Sequence, residues 1–174
     1  MLKPQDVLIA CKLLSLRDSR WTFSTLAGSL FISMSESHQA TERCKKAGIL
    51  GISKNRLIVV KRKFFDLLTL AVPQIFYAIR GSIQMGTPTS VWAKPLVSRF
   101  PRESGDDIPL VWPHDGGTTK GESLLPIYPT VPKIVGQDPS LYEMLALIEV
   151  IRTANIPDRR LAADMLEKII WTND

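Results

Sequence analysis

Residues 33–50 read Ser33-Met-Ser-Glu-Ser-His-Gln-Ala-Thr-Glu-Arg-Cys-Lys-Lys-Ala-Gly-Ile-Leu50. Ser33 and Glu36 have the spacing of a capping box. The serine hydroxyl can accept from the N–H of residue 36, and the glutamate can reach back to the N–H of residue 33. The helix opened there is expected to run to about Ala47. Ser37, Ala40, Cys44 and Ala47 recur at helical spacing, giving a narrow face of small residues that allows close packing on neighbouring helices. Gly48 then serves as a left-handed stop. The opposite face carries Ser35, Glu36, Gln39, Glu42, Arg43 and Lys46, with His38 at its side.

The flanking text supplies partners for this helix. Upstream, Pro4 suits the first turn of a helix, where its missing N–H is not needed. Val7, Leu8, Cys11 and Leu14 follow at helical spacing. Arg17-Asp-Ser-Arg20 reads as a polar turn, and Trp21-Thr-Phe leads into a short helix over about 24–30, with Leu26, Ala27 and Leu30 inward. Phe31-Ile-Ser33 is the tight turn between the two helices. Downstream, Ile49, Leu50 and Ile52 begin a strand, Ser53-Lys-Asn-Arg56 is a turn, and Leu57-Ile-Val-Val60 is a β-branched return strand. Lys61-Arg-Lys63 precedes an apolar helix over about 64–71, which Pro73 interrupts; residues 74–79 are expected to continue it after a kink.

Charge singles out the same region. Residues 43–65 carry eight basic side chains and no acidic one: Arg43, Lys45, Lys46, Lys54, Arg56, Lys61, Arg62 and Lys63. The rest of the chain holds fourteen basic residues against seventeen acidic, so this stretch alone accounts for the overall +5. Clustered Lys and Arg are the electrostatic footprint of a phosphate-binding surface. A solvated basic face without a ligand is the bland alternative.

The segments Trp21-Thr-Phe-Ser-Thr-Leu-Ala-Gly-Ser-Leu-Phe-Ile-Ser-Met-Ser-Glu36 and Arg43-Cys-Lys-Lys-Ala-Gly-Ile-Leu50, followed by a two-stranded hairpin, resemble bacterial winged helix-turn-helix DNA-binding regulators of the broad MarR-like type. The remainder, with Gly86-Thr-Pro, Val111-Trp-Pro and Pro126-Ile-Tyr-Pro, resembles a subgroup of bacterial winged-helix proteins, but the resemblance supplies no activity. What it implies is a sequence-specific reader of double-stranded DNA, with the capped helix in the major groove. Ser35, Gln39 and Arg43 would then reach base edges, Gln39 reading adenine and Arg43 reading guanine or gripping phosphate. Lys45 and Lys46 would hold phosphates. Lys54 and Arg56, at the hairpin tip, would lie along the backbone or enter the minor groove. Lys61, Arg62 and Lys63 would extend the phosphate track. The alternative is a protein-interaction module, such as an antitoxin or accessory subunit, that uses the same domain to dock a protein.

The expected fold class is α+β: a winged helix-turn-helix domain over residues 1–80, a proline-rich packed extension with short strands over 81–138, and a helical hairpin over 139–174. The middle zone holds eight prolines and seven glycines. It nevertheless keeps Trp92, Leu96, Phe100, Leu110, Val111, Trp112, Leu124, Leu125, Ile127 and Tyr128, too apolar for a disordered linker. Val111-Trp112 and Leu124-Leu125 are expected to pair as a hairpin around a wide polar loop, and residues 102–107 to be the most flexible segment. In the tail, Leu141, Leu145, Ile148 and Ile151 share one face. Leu161, Met165, Leu166 and Ile169 share another. Such stripes suit a homodimer interface or packing on the winged domain, and dimerisation is the favoured reading.

Enzyme signatures are weak. His114 beside Asp115 lacks the further ligands a metal needs. Gly116-Gly-Thr-Thr-Lys120 lacks the P-loop spacing. No catalytic residue, metal or cofactor is therefore expected. Cys11 and Cys44 read as buried thiols of a reducing cytoplasm, and the absence of a long apolar run or signal peptide points to a cytoplasmic protein without a membrane span.

Overall fold

A computed structural model describes residues 1–17, 19–100 and 108–172. The chain is mixed α+β. Helix α1 (Pro4–Leu16) has proline in its first turn, and the Asp6 carboxylate accepts from the Lys3 N–H at 2.8 Å. Helix α2 (Phe23–Leu30) is opened by Thr22, whose hydroxyl accepts from the Thr25 N–H, and closed by Phe31 in a left-handed conformation. Helix α3 (Met34–Lys46) starts on the Ser33–Glu36 box, with the two reciprocal bonds at 3.1 and 2.9 Å. Ser37, Ala40 and Cys44 are buried as the small-residue spacing implies, but Ala47 is exposed, because the helix has ended at that point. Gly48 adopts φ +71, and a Cβ there would also meet the Lys63 ammonium at 2.6 Å.

Strands β1 (Leu50–Ser53) and β2 (Arg56–Val59) pair antiparallel, with Leu50 opposite Val59 and Ser53 opposite Arg56. Their turn places both Lys54 and Asn55 at positive φ, 48° and 59°. This is the mirror-image turn that matches strand twist, and it favours Asn or Gly at both central positions. Lysine is an unfavoured occupant, tolerated here at the tip.

Beyond β2 the expected order changes. Helix α4 (Lys61–Asp66) widens into a π-helical turn at Leu67–Ala71, and α5 (Val72–Ile75) ends there. The wide turn absorbs Pro73, which sits in the first turn of α5, so no helix continues to residue 79. Instead β3 (Arg80–Pro88) begins almost at once. It pairs antiparallel with both β4 (Leu110–Pro113) and β5 (Thr119–Leu124). Strands β4 and β5 touch in parallel, so the three close on themselves. Val111-Trp112 and Leu124 therefore do not form a hairpin with each other. The closure needs glycine: a Cβ on Gly86 would lie 2.3 Å from the Trp112 carbonyl oxygen, and one on Gly117 would lie 2.2 Å from the Gly86 Cα. The polar stretch 102–107 lies outside the described residues.

After the short α6 (Val131–Ile134) come α7 (Pro139–Thr153) and α8 (Ile156–Trp171), a helical hairpin. Helix α7 is buried nearly all round, from Leu141 to Arg152, and α1 is enclosed likewise. One core draws Leu8 and Cys11 from α1, Leu26 from α2, Phe64 from α4, Trp112 from β4, and Leu145 and Ile148 from α7. The apolar stripe of 141–151 that favoured a dimer interface is thus covered from within the chain, because α1 and α8 flank it. On α8, Met165 and Leu166 are buried too, and Leu161 stays exposed. Among the described residues no helix is long and apolar enough to cross a membrane. Both cysteines are buried and unpaired. Burial pushes the Cys44 thiol up to about 12 and raises Cys11 as well, so neither is a ready thiolate.

Asp138 fastens α1 to α7. Its carboxylate accepts from the Leu141 N–H at 2.9 Å, capping α7, and from the Lys12 ammonium at 2.7 Å. Burial by itself would raise this carboxyl, but Lys12 and the cap bond outweigh burial and hold it below its ordinary value. A depressed carboxyl stabilises the fold above its unfolded pKa, about 3.9, and the contribution is lost as pH falls through the folded value. Asparagine would keep the cap and lose the ion pair. Asp138→Asn is expected to lower Tm at pH 7 by about 2–4 °C, for a loss of about 1 kcal/mol. Thermal melts at pH 7 and pH 3 check this: the gap from wild type should narrow at the lower pH.

Candidate nucleic-acid interface

Helix α3 presents four different faces. Ser37, Ala40 and Cys44 point into the core. Glu36 and Arg43 turn toward other elements of the fold, and His38, Glu42 and Lys45 line a groove beside the β1–β2 hairpin. Ser35, Gln39 and Lys46 remain on the solvent side, all exposed. The Gln39 amide donates to the Ser35 hydroxyl at 3.3 Å, a bond weak enough to be exchanged for a ligand.

Arg43 is not on the solvent face with them. Its guanidinium grips Asp6 of α1 with Nε at 2.9 Å and Nη2 at 2.6 Å, and Asp6 is 1% exposed. The carboxylate beside it raises the guanidinium's already high pKa. The expected base contact from Arg43 gives way to this pair, because a buried carboxylate without a cation is the costlier outcome. The sequence held a signal for it in Asp6, an acid on an otherwise apolar helical stretch.

The remaining basic residues are spread over two helices and the hairpin between them. Lys45 pairs with Glu42 at 2.7 Å on the flank of α3. Lys54 and Arg56 are exposed at the hairpin tip. Arg62 pairs with Asp66 at 3.2 Å on α4, Lys63 crosses over Gly48, and Lys61 sits half-buried at the start of α4. Lys63 therefore lies near the C-terminal end of α3, where a cation complements the helix dipole. Lys45 and Arg56 line the groove between α3 and the hairpin, whereas Arg43 is committed inward.

Glu36 completes the cap as anticipated. The Ser33 backbone N–H and then its hydroxyl hold the Glu36 carboxyl below its ordinary value. It also accepts from the Tyr128 hydroxyl at 3.5 Å. The middle of the chain thus reaches the N-terminal end of α3, a contact across 92 positions that no local pattern announces. His114 is spent on the barrel: Nδ1 accepts from the Gly116 N–H at 3.2 Å, which leaves Nε2 to donate to Thr87 at 2.8 Å. Among the described residues no group of three or more His, Cys, Asp or Glu is arranged to hold a metal.

Comparison with protein-family models, with curated proteins and with solved structures finds no match to this chain.

Proposed function

We propose that residues 1–80 form a winged helix-turn-helix domain and that the protein binds double-stranded DNA in a sequence-specific manner, as a transcriptional regulator of the cytoplasm. The observation that carries this reading is the exposed ridge of Ser35, Gln39 and Lys46 on a rigidly capped α3, together with the exposed basic residues Lys54 and Arg56 at the tip of the hairpin that follows. A helix fits the major groove, and Gln is a bidentate partner for adenine. Lysine in a left-handed turn position carries a backbone penalty, and such strain gathers where a side chain is needed for a ligand. Pairing of two copies would span half-sites about 34 Å apart. That role falls to the exposed apolar side chains of Ile79, Ile83 and Met85, since the apolar side chains of α7 are buried.

The experiment is duplex binding over a range of salt concentrations, followed by selection from a random duplex pool. Lys54→Ala with Arg56→Ala is expected to weaken binding to every duplex alike and to flatten the salt dependence by about 0.9 for each phosphate no longer neutralised. Gln39→Ala is expected to erase preference at one base pair, for about 1–3 kcal/mol of discrimination, with non-specific affinity kept. An unchanged motif in the Gln39→Ala selection, together with a stable heterocomplex on pull-down, would instead favour the protein-docking alternative.

A further inference from the structure

Beside α3, on the flank away from Arg43, runs a groove that lies outside the exposed ridge of Ser35, Gln39 and Lys46. Its first part, about 300 Å³, lies between α3 and the hairpin and is lined by Trp21, Phe23, His38, Lys45 and Arg56. Trp21, Asn55, Arg56 and Leu57 are shared with a second part of about 590 Å³, which extends to Arg17, Ser19 and Arg20. Three rings stand in a row along it. Trp21 meets Phe23 edge-on with centroids 5.5 Å apart, and Phe23 meets His38 at 5.1 Å. Trp21 leans partly on the core, while His38 is exposed. Arg17 and Arg20 are also exposed, and Arg17 holds a positive φ of 51° at the end of α1.

We propose that this groove binds a single nucleotide, its base stacked on Trp21, the ring common to both parts, and its phosphate at Arg17, Arg20 and Ser19. A π-face on one side and guanidinium groups a short distance away are complementary to a base joined to a phosphate. Base stacking on an aromatic side chain is tolerant of base identity, so all common bases should enter. Asn55, with both an amide donor and an acceptor, lines both parts and can meet a base edge. The volume matches that of small-ligand sites, which begin near about 300 Å³. The nucleotide's source is either a free nucleoside phosphate or an unpaired position of a strand. The inference does not rest on duplex recognition: Arg56 borders both surfaces, but the anchors Trp21, Arg17, Ser19 and Arg20 are not among the duplex contacts.

Calorimetric titration of the full chain with nucleoside 5′-monophosphates tests it, beside ribose 5-phosphate, a nucleoside lacking phosphate, and a short oligothymidylate. Saturable binding is expected with Kd on the order of 1 mM or tighter. The two truncated ligands should each bind at least about tenfold more weakly, because each loses one of the two anchors. Oligothymidylate binding much tighter than the mononucleotide identifies a strand as the source; equal affinity identifies the free nucleotide. Arg20→Ser and Trp21→Leu should each weaken binding by about tenfold or more, and Trp21→Phe should keep most of it. Circular dichroism melts confirm that the variants fold; Arg20→Ser, on an exposed side chain, keeps the test open should Trp21→Leu not fold. Absence of binding to every nucleotide at about 5 mM, or wild-type affinity in folded Arg20→Ser, overturns the proposal. Loss of duplex binding with nucleotide affinity intact would count against the regulator reading alone.

Discussion

Arg43→Ala is expected to lose about 3–5 kcal/mol of stability, equivalent to roughly 6–20 °C in Tm for a chain of this size. The loss follows from what stays behind. Asp6 is 1% exposed, and its carboxylate accepts from both Arg43 nitrogens and from the Lys3 N–H. Without the guanidinium, a charge remains buried with one backbone donor. The double variant Asp6→Asn with Arg43→Met should recover much of the loss, since removing both members of a buried pair is far less damaging than removing one. Denaturant titration of the wild type, this double variant and its two component single variants gives the coupling directly. A folded Arg43→Ala protein within about 1 kcal/mol of wild type would mean that Asp6 finds another partner or reaches water. The same result bears on DNA work: weakened binding by Arg43→Ala would report a loosened α1–α3 packing and not a missing base contact.

The second large effect lies at Glu149. This carboxylate is fully buried, accepts from the Trp112 indole N–H at 3.2 Å and pairs with Arg152 at 2.5 Å. Arg152 in turn donates to the carbonyls of Phe76 and Tyr77 at 2.7 and 3.0 Å. The network ties α7 to the barrel strand β4 and to the segment just before β3. Burial raises the Glu149 carboxyl, and the Arg152 charge opposes that rise. Glu149→Ala strands a guanidinium and an indole N–H in the interior and is expected to remove about 3–5 kcal/mol. Glu149→Gln keeps a hydrogen-bond acceptor and should lose less, by about 1–2 kcal/mol. Guanidinium unfolding monitored at the tryptophans measures both; equal losses in the two variants would show that the retained acceptor contributes nothing, and a Glu149→Gln protein as stable as wild type would show that the charge contributes nothing.

The parts of this fold legible in the sequence are those written in local chemistry. The Ser33–Glu36 box, Gly48, the Lys54-Asn55 turn and the prolines opening α1, α7 and α8 each act over a few residues, and each stands where its neighbours imply. The closed strands were not legible. Arg80-Gly-Ser-Ile-Gln-Met-Gly-Thr-Pro88 has little β-branched content, and Gly86 serves a close approach of backbones that no periodicity encodes. The end of α5 was hidden because a π-helical turn can accommodate Pro73 without a continuing helix. On the candidate interface, spacing alone placed Arg43 beside Gln39; a buried Asp6 on another helix decided where its side chain went. The ring row of Trp21, Phe23 and His38 was equally hidden, because it joins a loop, a helix start and a helix flank.

The position of α1 has a consequence for how the chain reaches its folded state. The first helix is enclosed by the last part of the chain: Lys12 meets Asp138 across 126 positions, and Leu8 and Cys11 share a core with Leu145 and Ile148. Loop closure over such a span is an entropic barrier that must be crossed before the contact stabilises anything. A ribosome therefore releases α1 through β2 long before their covering helix exists. During that interval the apolar side of α1 is open to water and to other chains. High contact order of this kind slows folding and lengthens exposure to aggregation. Expression of residues 1–80 alone should accordingly give insoluble material, and adding residues 139–172 in trans should rescue it.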